Sequence, residues 1–199
     1  MTSKRKRDMI AQYMTNKMEE YKCSDYEKSY VRTQLAQLRK GVGKQPGDMP
    51  ELWGTLFSEM PEKLMSKNGE PTSGEEAIYI ALTTYAWHQQ GKDISEQNMH
   101  KQGISLGQAL AGLASEDADD KERIGKRLKM FATASNINVA ARHLLGLVSL
   151  LNSENVGMDY ARLAVDLYRL QDKDDAHKVR LIWGQDFYRK STIEEKGIE

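Results

Sequence analysis

The sequence predicts an all-α protein: a compact helical bundle of about eight or nine helices, arranged as two packed small helical lobes. Three observations carry that reading. Apolar residues recur at helical spacing in segment after segment, and the segments are bounded by capping residues, glycines and prolines. No run alternates apolar and polar residues in the manner of a strand, no hairpin dipeptide joins two such runs, and no internal repeat is present. The third is the stretch 138–151, NVAARHLLGLVSLL. Ala140, Leu144, Leu147, Val148 and Leu151 form one helical stripe, and Val139, Leu145 and Leu150 widen it almost to the full circumference. A helix of that kind is expected at the centre of a bundle. It is too short and too interrupted to span a bilayer. Asn138, Arg142, Gly146 and Ser149 leave a narrow polar strip. His143 reads as a hydrogen-bonded core histidine. Arg142 either snorkels to the surface or faces an anionic partner.

Taken in order, residues 1–22 read as a basic N-terminal tail, with four cations from Lys4 to Arg7, and a short helix over 8–22. Met9, Tyr13, Met14 and Met18 form its apolar side. Ser24 and Glu27 have capping-box spacing, and Asp25 adds negative charge in the first turn, which predicts a helix over 24–40. Val31, Leu35 and Leu38 are its buried stripe; Lys28, Arg32 and Arg39 lie on another side; Gly41 ends it. After the loop VGKQPGDMP, Pro50 suits the first turn of a helix reaching about Glu59, with Trp53 among its apolar residues. Residues 61–73 read as a loop. Ser73 then caps a helix over 74–90, with Ile78, Leu82, Tyr85 and Gln89 along one face.

The second half follows the same rules. Leu106, Ala109, Leu110 and Leu113 keep helical spacing, and Gly107 and Ala111 are small enough for close helix approach. Asp119 or Asp120 caps a helix over 121–133. Ile124, Leu128 and Phe131 bury one side of it, while Arg123, Lys126 and Arg127 share an arc of about 100° on another. Asp159 caps a helix to about Leu170. A last helix, 175–188, carries Val179, Ile182, Trp183 and Phe187, and 191–199 reads as a frayed tail. The main domain is therefore 23–190, with lobes at roughly 23–114 and 115–190.

Composition narrows the function. Hydrophobic residues make up 39% and charged residues 29%, as in a folded domain rather than a disordered chain. Cys23 is the single cysteine, which excludes a disulfide framework and a cysteine-based zinc site. The opening MTSKRKRD lacks an apolar run behind its charges, and no window is apolar enough for a membrane span, so a cytoplasmic protein without membrane contact is expected. Net charge is zero, but it is segregated. Residues 1–50 hold 11 Lys and Arg against 6 Asp and Glu, and residues 51–120 hold 4 against 12. Residues 121–150 hold 6 against 1, and residues 151–199 hold 8 against 10. Two basic blocks thus flank an acidic one, which permits a face-segregated surface.

Catalytic inventory is poor. His88, His100, His143 and His177 show no metal-ligand spacing to one another or to Cys23. No Walker-type loop, dinucleotide fingerprint or nucleophile elbow occurs. The glycines of GVGKQPG follow a helix, which is the wrong setting for a phosphate cradle. Asp186 has no carboxylate partner in the sequence pattern. No enzyme, no metal and no cofactor is expected. What remains is a set of cationic stripes suited to a polyanion backbone, with no module that reads base edges. Trp53, Trp87 and Trp183 occupy core-like positions and are not expected to stack on bases.

Three segments in order resemble one family. Residues 32–53, RTQLAQLRKGVGKQPGDMPELW, look like the N-terminal signature of the small subunit of the type I-E CRISPR surveillance complex Cascade, the CasB family. Residues 103–110, GISLGQAL, resemble that family's segment before its basic helix. From Arg142 to Tyr188, RHLLGLVSLL, MDYARLAVDLY and the closing DFY resemble its C-terminal bundle. Lys40, in place of the usual second basic residue, and the neutral overall charge depart from the family pattern. The resemblance implies a non-catalytic all-α subunit of an antiviral defence complex. Such subunits pair head to tail with a second copy, lie against the guide-RNA-bearing backbone subunits beside the large subunit, and hold target and displaced DNA strands open as an R-loop. By position, Arg32, Arg39, Lys40 and Lys44 match the family's basic N-terminal motif, and Arg123, Lys126, Arg127 and Arg142 match its basic helical region. The competing reading is a helical protein-binding adaptor with no nucleic-acid contact.

Overall fold

The computed structural model describes residues 3–22, 28–114 and 118–189. Among these the regular structure is helical: α1 (Ser3–Glu20), α2 (Lys28–Lys40), α3 (Trp53–Phe57), α4 (Ser73–His88), α5 (Leu106–Leu113), α6 (Ala118–Ala132), α7 (Ile137–Ser153), α8 (Tyr160–Leu170) and α9 (Lys173–Tyr188). Two short 3-10 turns, Pro50–Leu52 and Glu62–Leu64, precede α3 and α4. The all-α reading holds. The box formed by Ser24 and Glu27 and the tail 191–199 lie outside the described residues.

Several element ends differ from expectation for local chemical reasons. Lys4 to Arg7 lie within α1 and are no tail: the helix begins at Ser3, and Arg7 reaches Asp175 of α9 at 3.5 Å. Helix α4 is capped by Thr72, not Ser73. Thr72 Oγ1 accepts from the Glu75 amide at 3.1 Å, while the Glu75 carboxylate accepts from the Thr72 amide at 2.7 Å. The Thr72 hydroxyl also donates to the Leu64 carbonyl, which ties the preceding turn to the helix start. Asp119 and Asp120 sit inside the first turn of α6 and do not precede it. Asp172 caps α9, so Asp175 is free to gather Arg7, Arg169 and Lys178. Asp159 caps α8 as expected, accepting from the Ala161 and Arg162 amides.

The central helix is α4, not α7. Thirteen of its sixteen residues are buried. Ala77, Ala81 and Ala86 let neighbours approach, and the Thr83 hydroxyl donates back to the Tyr79 carbonyl at 2.8 Å, so a polar residue is buried without a lost hydrogen bond. Helices α1, α2, α7 and α8 all pack against it. In α7 only Ala140, Leu144, Leu147, Val148 and Leu151 are buried; Val139, Leu145 and Leu150 are half-buried on its flanks. One continuous apolar cluster runs from α1 to α9, through helices on both sides of residue 114.

Two buried polar locks hold the bundle. At the end of α4, His88 Nδ1 lies 2.8 Å from the Tyr160 hydroxyl, and the Tyr160 amide donates to His100 Nδ1 at 3.1 Å. Tyr85 meets Tyr160 edge to face and stacks on Tyr21. Burial, with a smaller effect of Lys92, pushes His88 down to about 4, so it is a neutral structural group. The second lock joins α5, α8 and α9. A Cβ on Gly107 would stand 2.6 Å from the Trp183 carbonyl, so α5 and α9 meet backbone to backbone, as the small residue predicts. There Asp186 accepts from Ser105 Oγ at 2.6 Å and pairs with Arg162 at 3.0 Å.

Leu147→Ala is expected to destabilise the fold by roughly 2–5 kcal/mol, read by chemical denaturation, because a leucine with no exposed surface leaves a cavity. Asp166 generates a pH prediction. Burial raises its carboxyl to about 6 against the lowering pull of the Trp183 indole N–H, Arg162 and Arg169. Its folded value lies above the ordinary 3.8, so the fold disfavours its charged form, and stability falls as pH rises from about 4 through 6. Asp166→Asn removes that loss. Its stability relative to the parent should rise by roughly 1–3 kcal/mol between pH 4 and pH 7.5, and a pH-independent difference would contradict this assignment.

Candidate nucleic-acid interface

The packing of α2 and α7 on α4 builds the site. Gly41 lies against Tyr79, Arg39 reaches the Ala86 carbonyl, and Arg32 reaches Asp93, so α2 runs antiparallel to α4 and its extension. On the other side, Trp87 Nε1 donates to Ser149 Oγ at 3.4 Å, and Lys92 donates to the Asn152 carbonyl and side chain. Helix α7 therefore runs parallel to α4. Between the walls the floor is the α4 face Ile80, Thr83, Thr84 and Trp87, at i, i+3, i+4 and i+7.

At one end of this furrow a groove of about 110 Å³ is lined by Lys44 from the loop after α2 and by Arg142 from α7. The two basic blocks of the sequence meet here. Lys44 is exposed and its Nζ lies 3.0 Å from Met49 Sδ; Arg142 is exposed on the crest of α7. Neither has an ion-pair partner among the described residues.

The remaining predicted cations lie beyond this groove, on α2 and α6. Arg32 is 67% exposed and sits 3.1 Å from Asp93. Arg39 is half-buried, with one guanidinium nitrogen 3.5 Å from the Ala86 carbonyl. Lys40 is exposed at the end of α2. On α6, Arg123 is held by Asp120 at 2.8 Å and Lys126 by Glu122 at 2.7 Å, while Arg127 is exposed without an ion pair among the described residues. The Lys126 hydrogen bond holds the Glu122 carboxyl below its usual range. A short connection makes α6 and α7 antiparallel, and Arg123 shares a hollow of about 450 Å³ with Leu150, Ser153 and Glu154. The same register carries Arg127 toward the turn of α7 from Gly146 to Leu150, one turn beyond Arg142.

Sequence reasoning missed Trp87 and Lys92. Trp87 is 37% exposed and Trp53 is 53% exposed; of the three tryptophans placed in the core, only Trp183 is there. The signal for Trp87 was its place on one face of α4 with Thr83 and Thr84, a less apolar strip than the rest of the helix. Among the described residues no group of three or more His, Cys, Asp or Glu side chains is placed to hold a metal, and no helix is long and apolar enough to cross a membrane.

Comparison with known proteins gives a consistent picture. The family described as CRISPR-associated protein Cse2 matches residues 34–188. The crystal structure of CasB from Thermobifida fusca is similar at 28% identity, with 94% of this chain and 98% of that chain covered and a TM-score of 0.72. CasB from Thermus thermophilus shares the fold at 21% identity, 94% and 98% coverage and a TM-score of 0.58. A Cse2-family CRISPR-associated protein, also from Thermus thermophilus, does so at 22% identity, 94% and 97% coverage and a TM-score of 0.57. Among curated proteins no sequence matches.

The exposure of these cations makes a stability prediction. Alanine at Lys40, Lys126, Arg127 or Arg142 should each change unfolding free energy by no more than about 0.5 kcal/mol, because exposed positions and local surface pairs contribute little. A larger loss on thermal or chemical denaturation would mark that residue as structural.

Proposed function

Because the chain belongs to the Cse2 family of CRISPR-associated proteins, we propose that it is the small subunit of a type I-E Cascade complex and holds nucleic-acid backbone through the surface of α2, α4, α6 and α7. It acts without chemistry of its own in the cytoplasm. Its partners are the guide-RNA-bearing backbone subunits, the large subunit and a second copy of itself. Its ligands are the target and displaced strands, which it keeps apart as an R-loop.

One observation carries the reading. Lys44 and Arg142, drawn from basic blocks almost a hundred residues apart in sequence, line the same groove, and neither has a carboxylate partner among the described residues. Arg123 and Arg127 extend the positive surface beyond α7, and Arg32, Arg39 and Lys40 extend it along α2. Contacts of this sort bind phosphate and carry no base identity, which suits a subunit that must accept any target.

Removing a single phosphate-binding cation should lower the slope of log affinity against log salt by roughly 0.7–0.9. The pairs Arg32→Ala with Arg39→Ala, Lys44→Ala with Arg142→Ala, and Arg123→Ala with Arg127→Ala should each reduce that slope by about one to two units on random-sequence single-stranded DNA. Combined, they should weaken R-loop formation by the assembled complex while the subunit still joins it. A combined variant that folds, assembles and supports R-loops with parental affinity and salt slope would make these stripes solvated faces of a protein-binding adaptor.

A further inference from the structure

Trp87 stands apart from the rest of α4. Its neighbours on the same face are buried or nearly so, Ile80 at 8%, Thr83 at 4% and Thr84 at 2%, whereas the indole is 37% exposed. It lies one turn beyond the end of the groove formed by Lys44 and Arg142. The Arg39 guanidinium reaches the carbonyl of the preceding residue, Ala86, from the α2 side. From the α7 side, Ser149 Oγ accepts the indole N–H, and Ser149 in turn donates to the Leu145 carbonyl.

That hydrogen bond lies in the plane of the ring. It ties the ring by its N–H edge, while part of the side chain stays exposed. No aromatic side chain stacks on Trp87 among the described residues, although Tyr21, Tyr85, Tyr160, Phe131 and Trp183 all find such partners. An edge-anchored, partly exposed indole between cationic walls, on a floor of threonines, has the chemistry of a site for a flat, uncharged ring whose chain carries negative charge.

We propose that Trp87 is a stacking platform for an unpaired nucleobase of a strand whose phosphates are held by Lys44, Arg142 and Arg39. The proposal rests on the nucleic-acid reading of this surface and adds a contact to the base that the cations cannot supply. It leaves sequence tolerance intact, because every base offers a π-face. It also requires a single strand, since paired bases in a duplex are covered by their neighbours.

The test compares a short random-sequence DNA strand with the same strand made of abasic sites, using the full chain. The parent should bind the base-bearing strand about 5- to 150-fold more tightly at fixed salt, the range expected for one stacked base. Trp87→Ala should abolish that preference, and Trp87→Leu, which keeps side-chain bulk and secures the result if alanine disturbs the fold, should do the same. Trp87→Phe should retain most of it. None of the three should change the salt slope, because stacking releases no counterions. Lys44→Ala with Arg142→Ala should do the reverse, lowering the slope and sparing the preference. If the parent shows no preference, or Trp87→Leu keeps it, the platform is refuted while the phosphate surface stands. If the parent shows no salt-dependent binding to either strand, both fall together.

Discussion

Everything on the candidate face depends on how α4 is buried. A helix can be enclosed on almost all sides only if its neighbours come close and its polar groups satisfy themselves. Ala77, Ala81 and Ala86 meet the first condition, and Thr83, by donating to the Tyr79 carbonyl, meets the second. The His88 and Tyr160 contact then anchors the C-terminal end of α4 to the start of α8. With α4 fixed between α1, α2, α7 and α8, the strip from Ile80 to Trp87 is the part left between two walls. The furrow is thus a consequence of core packing, and its floor is as rigid as the core itself. A binding surface built on such an element loses little conformational freedom when it is occupied.

The cations differ in how they are held, and the difference has consequences. Arg123 and Lys126 lean on carboxylates within one turn of the same helix, and Arg32 leans on Asp93 across a short gap. Pairs of this exposed kind contribute about 0–1 kcal/mol. A phosphate offering bidentate, charge-assisted contacts competes easily with them. On the proposed function, these carboxylates would keep the long side chains extended along the surface until a strand arrives. Lys44 and Arg142 need no such exchange, because no carboxylate partner is present among the described residues. The groove between them is thus lined by two cations that form no ion pair among the described residues.

Much of the helical plan is legible in the sequence, because capping residues and apolar periodicity are local signals. Asp159 before α8 is read from neighbours a few residues away, and Gly107 from its small size, though the sequence does not say that α9 is the helix that meets it. The choice of central helix is not local. The α7 segment is the more continuously apolar, yet Val139, Leu145 and Leu150 are used on its flanks, where α4 and α6 rest against it. The α4 segment looks less apolar because alanine and threonine do the packing. Lys4 to Arg7 read as a solvated tail because a run of cations carries no local sign of a distant partner; the partner of Arg7, Asp175, lies 168 residues away. For the same reason the cationic residues could be found one by one, while the meeting of Lys44 with Arg142 could not. Trp87 was hidden by a general rule, that large apolar residues on an apolar helix face inward.

A chain with no net charge has no overall attraction to a polyanion, so the nucleic-acid binding we propose would have to come from the segregation of its charges. At physiological ionic strength fields decay over about 8 Å. A strand lying in the furrow therefore responds to Lys44, Arg142, Arg39 and their neighbours, and scarcely to carboxylates on the far side of the molecule. Those distant carboxylates still matter during approach, because they cancel the long-range field that would draw the protein onto any duplex it met. Short-range affinity for a strand that has entered the furrow and weak attraction to nucleic acid at large are then two results of one charge pattern. That combination suits the proposed role, in which a strand delivered by other means would be held through its phosphates and stacked on one exposed ring.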